Sequence, residues 1–389
     1  MAKASFFLFL IVSIIGLQQV ISLTQSQVNY LKQRLNDRFN LPVSDYSQFS
    51  EFSETKNEID SGASIQNEYD EERTINEKSE EHSHTIDVDI RMPDVKPTYE
   101  NEYFCHAIEM PMERSVFIVG YKPHAEMGTA HHMLLYGCSE PGSQNKSWNC
   151  GEMATTNDES VCGDGPRILY AWAMDAPSLE LPKDVGFEVG GDTGINYLVL
   201  QVHYGDISEK IKEHFTDDSG ITLQITDQPR KLSAAVYLLG SGGYIPGHSE
   251  VYMESACSYD HSQVLHPFAY RVHTHKLGRV VSGYRIRNQQ WEEIGRRDPQ
   301  KPEMFYPITK NMTVERGDIL AARCTMVNDM DKTVYTGATS DDEMCNFYMM
   351  YYTEGTLPNI DTCFRANQFK WRHYFDNIPA DASVVPDEK

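Results

Sequence analysis

Short runs of β-branched and aromatic residues, separated by clusters of Gly, Pro and Asp, recur along most of the chain. Examples are residues 115–121, 197–204, 232–239 and 319–326. Sustained helical periodicity is missing, whereas many short strands with turn signals between them are typical of β-sandwiches and jelly rolls. The sequence therefore predicts an all-β fold made of jelly-roll-like sandwiches.

Eight cysteines divide evenly between the two halves of this β-rich region: Cys105, Cys138, Cys150 and Cys162, then Cys257, Cys324, Cys345 and Cys363. In an oxidising compartment the even count predicts four disulfides, and the clustering predicts pairing within each half. A cysteine zinc site needs close Cys-x-x-Cys pairs, and the sequence contains none. We therefore expect two β-sandwich domains, at residues 86–228 and 229–379, followed by a frayed polar tail at 380–389.

The first 22 residues have the pattern of a secretory signal peptide, with Lys3 before an apolar run at 6–17 and a small-residue cleavage site. This run is short for a membrane span, and no later segment is apolar enough to cross a bilayer. Residues 23–85 are acidic and poor in apolar side chains, which predicts disorder. We expect a soluble protein in the secretory pathway, either in the vesicle lumen or outside the cell.

The net charge of the chain argues against one class of binding partner. A formal net charge of −23 and a pI near 5.0 argue against nucleic-acid binding.

Two sequons, at Asn145 and Asn311, are glycosylation candidates and fit a secreted protein.

The stretch 271–275 alternates Arg271, His273 and His275 with β-branched residues. Its aromatic and β-branched neighbours predict a strand, on which these three side chains point to one face. Two imidazoles one pleat apart can reach a single metal ion, and imidazole suits copper and zinc. The alternative is a polar, solvent-facing sheet edge.

A second histidine cluster precedes this stretch. His131 and His132 are adjacent, so joint ligation requires a strand end or a turn, which residues 128–130 could supply. His203 ends an apolar run at 197–204 and is a candidate third ligand. Alone, His203 is as well explained as a satisfied core or surface residue, but three histidines in one half favour a metal site.

Met344 opens a run in which Met344, Asn346, Tyr348 and Met350 share a face at a period of two. Most buried methionines simply fill gaps in a core. A thioether is, however, a soft ligand that prefers copper, above all Cu(I). Two histidines and this methionine together would make a copper site rather than a zinc site.

Four ordered motifs, at residues 131–135, 200–206, 270–275 and 342–346, closely resemble the peptidylglycine α-hydroxylating monooxygenases of the copper type II, ascorbate-dependent family. The resemblance runs from about residue 86 to about residue 379. It implies two nine-stranded β-sandwiches that face each other across a solvent-filled cleft, with one copper ion on each. It also implies one more disulfide in the first domain, whose cysteines this chain lacks.

The resemblance assigns roles to the candidate residues. His131, His132 and His203 match the electron-storing copper site, and His273, His275 and Met344 match the catalytic site that uses O₂. Arg271 matches the residue that holds the substrate carboxylate, beside Asn346 and Tyr348. The implied disulfides are Cys105–Cys150, Cys138–Cys162, Cys257–Cys363 and Cys324–Cys345.

The implied reaction hydroxylates the α-carbon of a C-terminal glycine in a peptide, with two copper ions, L-ascorbate as reductant and O₂ as co-substrate. This is the first step of peptide amidation. The chain ends before the lyase domain that often follows, so the resemblance implies a separate lyase for the hydroxyglycine product.

Three other functions compete with this interpretation. A related copper monooxygenase acting on a catecholamine-like amine shares the ligands, but Arg271 disfavours it because a guanidinium suits a substrate carboxylate. A secreted copper carrier or adhesion protein would bind the metal without turnover. A zinc hydrolase lacks an obvious Glu beside the paired histidines and leaves Met344 unexplained.

Overall fold

The computed structural model describes residues 85–126, 128–151, 159–173, 175–205, 207–337, 341–366 and 368–386. The predicted signal peptide, and the acidic segment up to residue 84, lie outside the described residues. Strands dominate the described part and helix is minimal, so the all-β prediction is confirmed. Within this part of the chain, no helix is both long and apolar enough to span a bilayer.

In the part of the chain that the structure describes, ten strands precede residue 230. They are β1 (Thr85–Arg91), β2 (Tyr103–Glu109), β3 (Ser115–His124), β4 (Ala130–Cys138), β5 (Trp148–Asn149), β6 (Arg167–Ala173), β7 (Leu179–Glu180), β8 (Val185–Gly190), β9 (Tyr197–Tyr204) and β10 (Gly220–Thr226). One sheet has the order β5-β2-β9-β4-β6, and the other begins β1-β10-β3-β8, with β7 on β3. One short helix, α1 (Ser208–Lys212), and a 3-10 turn (Gly191–Thr193) flank β9. Buried side chains from both sheets meet in one apolar core.

Eleven strands follow among the described residues of the second half. They are β11 (Leu232–Gly242), β12 (Tyr244–Ile245), β13 (Ser249–Ser258), β14 (His266–His273), β15 (Gly278–Arg287), β16 (Gln290–Arg297), β17 (Tyr306–Pro307), β18 (Ile319–Asn328), β19 (Val334–Tyr335), β20 (Asn346–Glu354) and β21 (Thr362–Ala366), before a 3-10 turn (Trp371–His373). One sheet runs β13-β18-β15-β16, and β12 pairs with β19. The remaining strands run β11-β20-β14-β17, with β21 on β11.

A short parallel pairing between β8 and β11 makes one continuous sheet across residue 229. The core of the first half also extends past that residue, because buried Ala269, Phe305, Tyr348 and Met350 belong to it. The two halves therefore share both backbone hydrogen bonds and apolar packing.

Four disulfides fix the sheets: Cys105–Cys150, Cys138–Cys162, Cys257–Cys363 and Cys324–Cys345. All four lie within a half, and they are the pairs that the resemblance implies. Cys324–Cys345 joins β18 to the residue just before β20. This bond ties the start of β20 to the neighbouring sheet, next to Met344.

Residues 380–386, the described part of the tail, are docked rather than frayed, which corrects the expectation drawn for them from polar composition. Ala382 is fully buried, and its carbonyl accepts a hydrogen bond from the Ser282 hydroxyl. Arg296 donates to the carbonyls of Asp381 and Val384. Backbone carbonyls anchor this segment, so side-chain polarity was a poor guide to its order.

Candidate metal centres and substrate site

A β-bulge brings His131 and His132 to the same place. On β4, Ala130 pairs with Tyr204 and His132 pairs with His203, so His131 is the extra residue in the register against β9. A bulged residue escapes the alternation of a regular strand. The bulge therefore supplies the break that joint ligation by two adjacent histidines requires.

The three histidines of the first cluster converge on one point. The Nδ1 atom of His132 lies 3.3 Å from Nδ1 of His131 and 3.3 Å from Nδ1 of His203. Candidate ligand atoms of all three residues lie within 4.8 Å of one another. Two ligand nitrogens at about 2.0–2.1 Å from one metal ion, in a near-tetrahedral arrangement, lie about 3.3 Å apart.

Hydrogen bonding alone does not account for this arrangement. A ring nitrogen carries either one proton or one lone pair, so Nδ1 of His132 can complete only one of its two contacts as a hydrogen bond. Burial, with His203 close by, holds the pKa of His132 well below its ordinary value. Burial and His131 lower the pKa of His203 to about 3. Both rings are therefore neutral at pH 7, which is the form that binds a metal.

Aromatic packing orients the third histidine. The ring of Tyr103 stacks on His203, with centroids 4.1 Å apart and planes within 5°. On the same face, the buried amide of Gln201 donates to the carbonyl of Gly151 at 2.8 Å. β9 is the central strand of its sheet, and the side chains on both of its faces are buried, which explains its almost continuous apolar sequence.

Strand pairing assembles the second group of side chains. On β14 and β20, Arg271 lies opposite Tyr348 and His273 lies opposite Asn346. The guanidinium of Arg271 sits 4.9 Å from the centre of the Tyr348 ring. His275 lies two residues past the end of β14, and its ring centroid is 5.3 Å from that of His273.

Met344 precedes β20 by two residues, on a loop that forms hydrogen bonds with His275 in the β14–β15 connection. The amide of Asn346 lies 3.7 Å from the sulfur of Met344. His275 Nδ1 lies 2.9 Å from the carbonyl of Asp342, to which it donates because a carbonyl can only accept. This contact leaves Nε2 of His275 as the nitrogen with the lone pair, so that Nε2 is the atom that could bind a metal ion.

Sequence reasoning missed Glu343, which organises this loop. Its buried carboxylate accepts backbone hydrogen bonds from His275 at 3.0 Å, Leu277 at 2.6 Å and Met344 at 3.2 Å. One side chain thus fixes the backbone on both sides of the proposed ligands. Its position directly before Met344 was the only signal in the sequence.

Replacing Glu343 by Gln should loosen this loop. The amide nitrogen cannot accept, so at least one buried backbone N–H loses its partner, at a cost of about 1–3 kcal/mol. We expect lower stability in chemical denaturation, together with weaker copper binding at the methionine-containing site. Glu250→Gln is the control, because Glu250 is an exposed residue of β13. Wild-type copper binding in Glu343→Gln would show that the loop does not depend on this carboxylate.

Glu303 is the second residue that sequence reasoning missed. Its Oε2 atom accepts from Arg271 Nη2 at 2.5 Å and from His273 Nδ1 at 2.9 Å. Burial alone would raise the pKa of this carboxyl, but His273 and Arg271 hold the pKa well below its usual range. The bond to Glu303 leaves Nε2 of His273 as the atom that could bind a metal ion, as in His275. Nothing in the sequence near Glu303 marks it as a site residue.

The donor set at this second group suits a soft metal ion. Two imidazole Nε2 atoms and one thioether favour copper over zinc, and Met344 is 8% exposed, shielded from solvent. Each imidazole has an acceptor for its other nitrogen, a carboxylate in one case and a carbonyl in the other. The residues present therefore fit a copper ion at both clusters.

Comparison with known proteins matches the chain to two family profiles. Residues 88–211 match the N-terminal domain, and residues 232–376 the C-terminal domain, of the copper type II ascorbate-dependent monooxygenases. The peptidylglycine alpha-amidating monooxygenase of Rattus norvegicus is 45% identical over 301 residues, covering 76% of this chain and 30% of the relative. Peptidyl-glycine alpha-amidating monooxygenase B of Xenopus laevis is 43% identical, covering 76% and 33%.

A more distant relative is the dopamine beta-hydroxylase of Homo sapiens, which is 26% identical over 316 residues and covers 75% of this chain and 50% of the relative. The chain spans about a third of the length of the amidating monooxygenases it matches.

Proposed function

Because the chain belongs to the copper type II ascorbate-dependent monooxygenase family, we propose that it hydroxylates the α-carbon of a C-terminal glycine in peptides, the first step of peptide amidation. The observation that carries this choice of substrate is Arg271. Its side chain is 3% exposed and lies two residues before the candidate copper ligand His273 on the same strand. A buried guanidinium at this position suits the carboxylate of a peptide.

His131, His132 and His203 would hold one copper ion, and His273, His275 and Met344 the other. Copper at these sites would supply one-electron redox chemistry, with ascorbate as the reductant and O₂ as the oxygen source. Arg271 would bind the peptide carboxylate by paired hydrogen bonds and so place the glycine α-carbon beside the methionine-containing site. The guanidinium packs over the ring face of Tyr348, which supports its position.

The same proposal extends to the domain division, the fate of the product, the compartment and glycosylation. The family profiles support a two-domain division at residues 86–228 and 229–379. The product, a peptidyl-α-hydroxyglycine, would be the substrate of a lyase that yields the amide. Four disulfides fit an oxidising compartment, so we place the protein in the secretory pathway or outside the cell. Asn145 and Asn311 are exposed and available for glycosylation.

Oxygen uptake tests the substrate class. The copper-loaded chain, given ascorbate, should consume O₂ in proportion to an added glycine-extended peptide and should ignore an arylethylamine. Uptake that responds to the amine alone would favour the catecholamine-type monooxygenase. Copper binding without peptide-dependent uptake would favour a carrier.

The two clusters predict two copper ions per chain with unlike surroundings, since only one cluster includes a methionine. X-ray absorption of the ascorbate-reduced protein should show a sulfur neighbour at one copper of the two. A single metal ion per chain would contradict this expectation, as would zinc that stays bound through purification and activity.

A further inference from the structure

Glu303 lies where an incoming substrate carboxylate would have to bind. It belongs to an irregular segment, residues 298–305, between β16 and β17. The Arg271 side chain is 3% exposed and the Glu303 side chain 17% exposed, so their ion pair is shielded from solvent. The proposed substrate anchor thus already holds a carboxylate from its own chain.

The contact between the two groups is incomplete. A guanidinium offers five N–H donors in a fixed fork, and Glu303 engages it through a single oxygen. The Nε atom of Arg271 is buried and has no hydrogen-bond partner among the described residues. A carboxylate that bound Nε and an Nη together would form the stronger bidentate pair. The peptide therefore has a geometric advantage over Glu303.

Glu303 also has the freedom to move aside. Its side chain has several rotatable bonds and is partly exposed, and its backbone lies outside any regular strand. Arg271 and His273 both contact the Oε2 atom of Glu303, and a rotation of the side chain that keeps Oε2 on His273 can withdraw it from Arg271. The displacement need not disturb the proposed copper ligand.

We propose that Glu303 is the internal counter-ion of Arg271, and that the carboxylate of a glycine-extended peptide must displace it to bind. The inference rests on the proposed function, because it takes Arg271 as the substrate anchor. It makes Glu303 a specificity-determining residue. Glu303 weakens the binding of every carboxylate ligand, and it leaves neutral ligands unaffected.

Peptide binding to the copper-loaded full chain, without ascorbate and therefore without turnover, tests the proposal. Calorimetry would compare one glycine-extended peptide with the same peptide carrying a C-terminal amide, on the wild type and on Glu303→Gln. We expect Glu303→Gln to bind the acid peptide about tenfold more tightly, because two like charges at close range repel strongly in a shielded site. Binding of the amide should not change.

Asp331→Asn is the charge-matched control. Asp331 is fully exposed and contacts His248 rather than the site, so its loss should leave both affinities unchanged. If Glu303→Gln does not fold, Glu303→Asp withdraws the carboxylate by one methylene, and we expect a smaller gain for the acid peptide. Thermal unfolding of each variant reports its folding.

The outcomes separate the inference from the proposed function. If wild-type protein prefers the acid peptide and Glu303→Gln binds it no better or more weakly, Glu303 orients Arg271 instead, and only the inference fails. If the wild type does not distinguish the acid from the amide, Arg271 is not the carboxylate anchor, and both fail. A tenfold gain confined to the acid supports both.

Discussion

Met344→Ile should lose peptide hydroxylation by orders of magnitude and keep its fold. Ile is apolar and similar in size, so a methionine that only filled a core would tolerate the change at less than about 1.5 kcal/mol. Ile has no lone pair, so the copper site would keep His273 and His275 and lose its soft donor. Thermal unfolding, copper stoichiometry and ascorbate-driven turnover, measured on one preparation, give the comparison.

Met349→Ile is the matched control for that experiment. Met349 lies on β20, is fully buried and belongs to the second apolar core, on the face of the strand away from Arg271. The two substitutions should cost similar stability, and only Met344→Ile should lose turnover. Near-normal turnover in Met344→Ile would return Met344 to a packing role and remove the defining ligand of the second site.

Arg271→Gln should raise the KM for glycine-extended peptides far more than it lowers kcat. The carboxylate contact exists in the bound ground state, so its loss should appear mainly as weaker binding. A charge-assisted pair in a shielded site contributes about 2–4 kcal/mol, which corresponds to a KM increase of about 30-fold to several hundred-fold. Steady-state kinetics over a wide peptide range measure the split.

Arg297→Gln is the control for Arg271→Gln. Arg297 lies on β16, with its guanidinium 3.7 Å from the centre of the Tyr306 ring. Its loss should change stability and leave KM alone. A wild-type KM in Arg271→Gln would show that the substrate carboxylate binds elsewhere.

The sequence predicted the β architecture well because hydrophobic runs and turn residues are local signals. Runs such as 197–204 and 319–326 coincide with β9 and the greater part of β18. Among the strands that the predicted runs did not include are β2 (Tyr103–Glu109) and β16 (Gln290–Arg297), where charged and polar residues interrupt the pattern. Pairing with neighbouring strands, a non-local effect, decides their structure.

The candidate site shows the same division between local and non-local information. The ligand residues were visible because histidine and methionine carry distinctive chemistry. The sequence indicated that joint ligation by His131 and His132 requires a break in the strand. It could not show that the break is a bulge at His131, because the register is set by the partner strand. Glu303 was invisible, because it lies about 30 residues from Arg271 in an irregular segment and meets it only in the folded chain.

The most direct test of the proposed reaction is mass spectrometry of a glycine-extended peptide incubated with the copper-loaded chain, ascorbate and isotopically heavy O₂. We expect the peptide to gain one heavy oxygen atom, located by fragmentation on the C-terminal glycine, and the amidated control peptide to remain unchanged. An unmodified peptide, with both copper ions bound and ascorbate present, would contradict the proposed function, as would oxygen that came from water.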